Sequence, residues 1–169
     1  MQLGVAIRRL FAPPPLRPPG ARPEAELVAL CIRCGRCIAA CPYRAIRPAG
    51  GAHGVDAGTP AVVAREAACV LCMLCPPACP TGALDAHLTD PRRVRMGLAR
   101  VTDDLCYAHQ GVLCRTCLDE CPFEGEAILQ DERLRPVVTE RCVGCGLCEA
   151  RCPAPEVAIR VVPAGRLRP

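Results

Sequence analysis

The sequence contains no lysine and no tryptophan, and all 21 of its basic residues are arginine. Only Phe11, Tyr43, Tyr107 and Phe123 are aromatic, so the apolar 51% rests mainly on alanine, valine and cysteine. Such a chain cannot build a large aromatic core, and small domains with thin cores usually depend on disulfides or metal. The absence of lysine, beside abundant Ala, Pro and Gly, reflects compositional bias and carries no functional weight. No apolar run approaches the length that crosses a bilayer. The segment from Met1 to Ala12 is too short for a signal peptide and has no cleavage pattern. Arg8-Arg9 would suit twin-arginine export, but Pro13, Pro14 and Pro15 stand where an apolar stretch should follow. The expectation is an ordinary basic tail and, for the chain as written, a cytoplasmic location. Catalytic constellations are also missing. His53, His87 and His109 are scattered, and no Ser/His/Asp set or phosphate-binding glycine loop occurs. Asp103-Asp104, Asp119-Glu120 and Asp131-Glu132 read as solvated faces rather than acid–base pairs. The chain is therefore not expected to be an enzyme by itself.

What the chain has in excess is cysteine, sixteen in 169 residues. They fall into four strings: Cys31, Cys34, Cys37, Cys41; Cys69, Cys72, Cys75, Cys79; Cys106, Cys114, Cys117, Cys121; and Cys142, Cys145, Cys148, Cys152. Each ends in Cys-Pro, three obey C-x2-C-x2-C-x3-C-P throughout, and the third obeys it after its first member. No cysteine is left over. Apolar pairs follow the strings (Ala45-Ile46, Ala83-Leu84, Ala127-Ile128, Ala158-Ile159), and runs such as Ala61–Ala64, Gly97–Val101 and Pro136–Thr139 precede the later ones. Turn-rich segments, including Pro48–Gly51 and Gln130–Arg133, separate them. The repeating unit is strand, cysteine loop, short helical turn, strand. Pro23 to Leu30 reads as a short helix with acids in its first turn. The proline run Ala12–Gly20 before it reads as a polyproline-like tether.

This spacing suits a [4Fe-4S] cube, which needs one thiolate per iron. Cysteines three apart converge on one cube, while the fourth, before proline, starts a helical turn and reaches the neighbouring cube. Gly35, Gly144 and Gly146 lie between ligands, where a missing Cβ permits tight turns. A disulfide scaffold would not require the string four times. Structural zinc favours pairs of C-x2-C set further apart. Four cubane clusters are expected, each contributing about −2, so the formal +4 becomes roughly −4 when they are bound. No nucleic-acid partner is expected.

The fold class expected is α+β: tandem two-cluster ferredoxin modules, short strands and short helices around the clusters. The boundaries are 1-23 for a Pro-rich tether, 24-90 for the first module and 91-169 for the second. Strings one and two place Ala four residues after their last cysteine, whereas strings three and four place it six after. Sequential pairing then gives four ligand sets: Cys31, Cys34, Cys37 and Cys79; Cys69, Cys72, Cys75 and Cys41; Cys106, Cys114, Cys117 and Cys152; Cys142, Cys145, Cys148 and Cys121. Nested pairing, two with three and one with four, stays open, although short loops cost less entropy to close. The long gap between Cys106 and Cys114 reads as a loop insertion that Gly111 helps to fold back. With four cysteines per cluster already present, His109 is not expected to be a ligand.

Several stretches together resemble the NapG/MauM family of ferredoxin-type proteins, associated with periplasmic nitrate reductase and methylamine utilisation. They are Leu16–Ala21, the acidic helix before Cys31-Ile-Arg-Cys-Gly-Arg-Cys37, Cys79-Pro-Thr-Gly-Ala-Leu84, Arg95–Ala99 and the long third loop. The resemblance runs from Leu16 over nearly the whole chain. It implies a four-cluster electron carrier that takes electrons from a membrane-bound quinol-oxidising partner and passes them to a reductase or cytochrome. It also implies export in the folded state, and hence a periplasmic, membrane-associated location if the N-terminus is truncated. Two features depart from the family: the short Cys72-Met-Leu-Cys75 gap and the missing export signal. The competing function is a maturation or docking protein that uses its clusters as structural supports.

Overall fold

A computed structural model describes residues 14–167 of the chain. The basic N-terminal tail and the first part of the proline run lie outside the described residues. The elements are few and short. In order they are α1 (Glu24–Leu30), α2 (Arg36–Ala39), β1 (Ile46–Pro48), β2 (Pro60–Val62), β3 (Gly97–Val101), α3 (Thr116–Asp119), β4 (Ile128–Gln130), β5 (Pro136–Val138), α4 (Leu147–Arg151) and β6 (Ile159–Pro163). This is the α+β arrangement expected, assembled twice.

Each half contains an antiparallel hairpin between its two cysteine strings: β1 with β2 in the first, β4 with β5 in the second. Each is also closed by pairing the segment before the first string with the segment after the second. In the second half that closure is a ladder, β3 against β6, running from Gly97 opposite Pro163 to Val101 opposite Ile159. In the first half it is a single bridge between Ala21 and Leu84. Two backbone bonds flank this bridge, Arg22 N–H to Ala83 (3.1 Å) and Asp85 N–H to Gly20 (2.7 Å).

Residues Leu16 to Ala21 correct the expectation of a tether. Leu16 bridges Val62 at the edge of β2, Pro18 and Pro19 are fully buried, and Arg17 is 7% exposed. The Arg17 guanidinium donates to the Thr59 hydroxyl and the Pro60 carbonyl, both at 2.8 Å. It also forms a two-pronged pair with Glu24. A proline run has no N–H groups to satisfy, so it can enter a core at little hydrogen-bonding cost once neighbouring side chains supply the walls. The composition suggests a spacer; tertiary contacts turn it into part of the first half's core.

The main core draws on both halves. Leu16, Leu27, Ile46, Val62 and Leu84 pack with Val94, Met96, Phe123 and Val143. A second core joins Ala99, Leu118, Ile128 and Ile159, and a third joins Cys106, Ala108, Ala154 and Ala158. The small side chains noted in the sequence therefore divide among three clusters, with cysteines packed into each.

Candidate iron–sulfur centres

The three regular strings share a backbone device. The residue before the second cysteine and the residue after it both adopt left-handed φ. These are Arg33 and Gly35 around Cys34, Leu71 and Met73 around Cys72, and Gly144 and Gly146 around Cys145. Alternating handedness winds the loop so that successive side chains turn inward. Glycine does this freely; Arg33, Leu71 and Met73 do it at a cost of about 1 kcal/mol each. Sequence reasoning found the glycines and missed the others, although their equivalent places in the repeat were a visible signal. String three has no such pair: Arg115 has φ −132°. Its longer loop turns instead through Gly111, with Gln110 N–H bonding the Cys106 carbonyl at 3.1 Å and Val112 N–H bonding Tyr107 at 2.9 Å.

In three strings a one-turn helix joins the third cysteine to the fourth; α2, α3 and α4 do this. The helical turn was expected to begin at the fourth cysteine, and it ends there. A residue before proline is pushed out of the helical region, so Cys41, Cys121 and Cys152 act as stops. In string two Pro76 and Pro77 leave no helix, only a turn closed by Cys79 N–H to the Pro76 carbonyl at 3.1 Å.

No disulfide joins any of the sixteen cysteines, and the fold gathers them into four groups. Cys41 joins Cys69, Cys72 and Cys75 around one hollow, and Cys106, Cys114, Cys117 and Cys152 line its counterpart. 

A third hollow lies between Cys121, Cys142, Cys145 and Cys148, with Cys117 at its edge. The fourth group is marked by Cys37, whose sulfur neighbours are Cys31 and Cys79. In three groups the last cysteine of one string sits with the first three of another, and in the fourth Cys79 joins Cys31 and Cys37. His109 takes no part: its Nδ1 lies 3.4 Å from an Asp103 carboxylate oxygen.

The electrostatics fit a cationic iron core. Burial, followed by the sulfurs of Cys31 and Cys79, pushes the Cys37 thiol up to about 11. Burial pushes Cys69, Cys75 and Cys117 up to about 12, with neighbouring sulfurs adding to it. Cys148 is raised for the same reasons. Four buried thiolates facing one another would repel; iron at their centre makes the deprotonated form the stable one. Donors are already in place. Leu71 N–H points at Cys69 Sγ (3.4 Å), Leu84 N–H at Cys79 Sγ (3.5 Å), and the Thr81 hydroxyl lies 3.6 Å from the same sulfur. Burial works to raise Cys79, but these donors outweigh it and hold its thiol below the usual value. Among the described residues, no three His, Cys, Asp or Glu side chains converge where a single metal ion would sit. Thiols spread around a hollow suit a cube with one iron per sulfur.

A tandem pair of small modules, each with two cysteine groups, defines a two-times-two-cluster ferredoxin. Family models described as 4Fe-4S dicluster domain match residues 30–83 and 99–153, and the protein accordingly carries four [4Fe-4S] clusters. The chain is 41% identical over 159 residues to the methylamine utilization ferredoxin-type protein MauM of Methylorubrum extorquens, covering 88% of this chain and 72% of that one. It is 42% identical over 162 residues to the ferredoxin-type protein NapG of Escherichia coli, covering 88% and 70%. The ferredoxin-type protein NapF of the same organism is 33% identical over 144 residues, covering 82% and 80%. The chain belongs to the NapG/MauM family of ferredoxin-type iron–sulfur electron-transfer proteins.

Proposed function

We propose that the sixteen cysteines hold the clusters in four sets: Cys31, Cys34, Cys37 and Cys79; Cys41, Cys69, Cys72 and Cys75; Cys106, Cys114, Cys117 and Cys152; Cys121, Cys142, Cys145 and Cys148. The protein then relays single electrons from a membrane-bound quinol-oxidising partner to a reductase or cytochrome, as an accessory carrier with no substrate of its own. The observation that carries this reading is the grouping itself: three hollows are lined by the last cysteine of one string and the first three of another, and Cys79 stands with Cys31 and Cys37.

When bound, the clusters supply reversible one-electron storage. The protein's part is to hold and tune them. Apolar walls, such as Phe123, Ile128 and Val143 at one hollow, exclude water. The N–H groups of Leu71 and Leu84 bond sulfurs that gain negative charge on reduction, and so favour the reduced form. No helix among the described residues is long and apolar enough to cross a membrane.

An anaerobic reductive titration followed by EPR tests the relay. Clusters that take up electrons and return them on reoxidation support it. Clusters that cannot be cycled would mean that they are structural supports in a docking or maturation protein.

A further inference from the structure

The relay reading leaves open where electrons cross between modules, and the contacts between the halves answer that. Within each half the two groups interlock, because Cys41 and Cys79 exchange places in the first and Cys121 and Cys152 in the second. Between the halves, Cys69 N–H donates to the Cys145 carbonyl at 3.0 Å. Gly146, at φ +85°, lies against Ala64 so closely that a Cβ would collide with it. Arg65 reaches over the same seam. Its Nη1 donates to the carbonyls of Glu149 and Ala150 at 3.0 Å and of Cys152 at 3.3 Å. These carbonyls end α4, where no intrahelical N–H can reach them, and a cation is favoured there.

The core divides the same way. Cys69, Cys75 and Cys145 are buried in the core that both halves share, whereas Cys106 belongs to a separate core built from Ala108, Ala154 and Ala158. The site built on string four therefore faces the first module, and the site built on string three faces away.

The structure assigns the Cys69–Cys145 contact, clasped by Arg65, as the crossing point for electrons between the modules. Naming each site by the string that gives it three cysteines, the order along the protein is one, two, four, three. Sites one and three are the two ends, where electron donor and acceptor proteins would exchange with it. An electron crossing at Cys69–Cys145 oxidises the cluster it leaves and reduces the one it reaches by a single electron; no bond breaks.

The inference rests on the relay reading, and one experiment separates the two. The dithionite-reduced full chain is compared by EPR with variants that lack one site. Losing site two, through Cys72→Ala with Cys75→Ala, is expected to leave site one magnetically isolated beside a coupled pair. Losing site four, through Cys142→Ala with Cys148→Ala, is expected to isolate site three. Losing an end site is expected to leave all three remaining spins coupled. A site-four variant whose three remaining clusters stay coupled overturns the order. If the doubly substituted chains fail to fold, Arg65→Gln decides. It is expected to keep its full iron content and lose the coupling between modules, with Arg65→Lys restoring it; unchanged coupling in Arg65→Gln overturns the assignment. Clusters that accept no electron overturn the relay itself, and the crossing with it.

Discussion

The two halves hold the same ligand spacing on different scaffolds. The second half closes its ends with a ladder from Gly97–Pro163 to Val101–Ile159, and the turn of its hairpin is held by Asp131. The first half has one bridge, Ala21 to Leu84, and a hairpin whose connection wanders through a 3-10 segment at Gly51–Asp56. What it lacks in strand pairing it recovers from the N-terminal segment: Leu16 on β2, two buried prolines, and Arg17 tying Thr59 and Pro60 to Glu24. Iron–sulfur ligation sets where the cysteines must meet, and leaves the surrounding protein several ways of bringing them there.

That contrast is broken most directly by removing what only the first half uses. Deleting residues 1–21 removes the Leu16 and Ala21 bridges and uncovers Val62 and Leu84, both buried. The expected outcome is loss of about half the bound iron, since metal sites and folding are coupled in domains this small. The second half should keep its clusters. Iron and sulfide analysis on purified protein checks this, and a truncated chain with four clusters would mean that the ladder-poor half stands without its N-terminal support.

A single side chain should reproduce part of that loss. Arg17→Ala leaves the Glu24 and Asp56 carboxylates, 29% and 13% exposed, without their buried cation. Removing one partner of a buried pair costs about 3 kcal/mol. The expected result is a lower unfolding midpoint for the first half only, read by denaturant titration of cluster absorbance. A loss spread equally over both halves would show that the shared core, not Arg17, sets first-half stability.

The sequence made the cysteine scaffold legible because ligand spacing is local: Cys-x2-Cys brings thiols together whatever the distant chain does. The hairpins were legible too, from Ala127-Ile128 and Pro136-Val137-Val138 on either side of a turn. The contacts that join the halves were not. Arg65, one arginine among 21, gains its meaning only from carbonyls more than eighty residues away. Leu16 to Ala21 was read as a spacer because proline runs usually are, and only the walls supplied by Val62 and Leu84 make it core. Leu71 and Met73 adopt left-handed backbone that their identities disfavour, a strain accepted where the loop must wind around a site.

The smallest effect sharpens the comparison of the two hairpins. Asp131 receives the backbone N–H groups of Arg133 and Arg135, each at 2.9 Å, and the Arg135 guanidinium at 2.8 Å. Arg135's side chain, then its backbone N–H, holds the Asp131 carboxyl down at about 2, against an ordinary 3.8. The sign follows from linkage. A depressed folded-state value adds stability above the unfolded value and loses it as pH falls towards about 2. Between about pH 5 and about pH 8 the group is charged in both states, so its contribution is constant. Asp131→Asn keeps an oxygen for the two backbone donors and loses the charge. Because the pair is only partly buried, the change is expected to lower the second half's unfolding midpoint slightly, and by the same amount at both pH values. Denaturant titrations at the two pH values read this directly, and the matching loss should be absent from the first half, whose hairpin depends on Arg17 instead. Lowering the pH to about 3 should then shrink the cost of the substitution. A cost that stays constant down to about pH 3 would show that the Asp131 carboxyl is not held down by Arg135, and that the second hairpin owes its tight turn to backbone geometry alone.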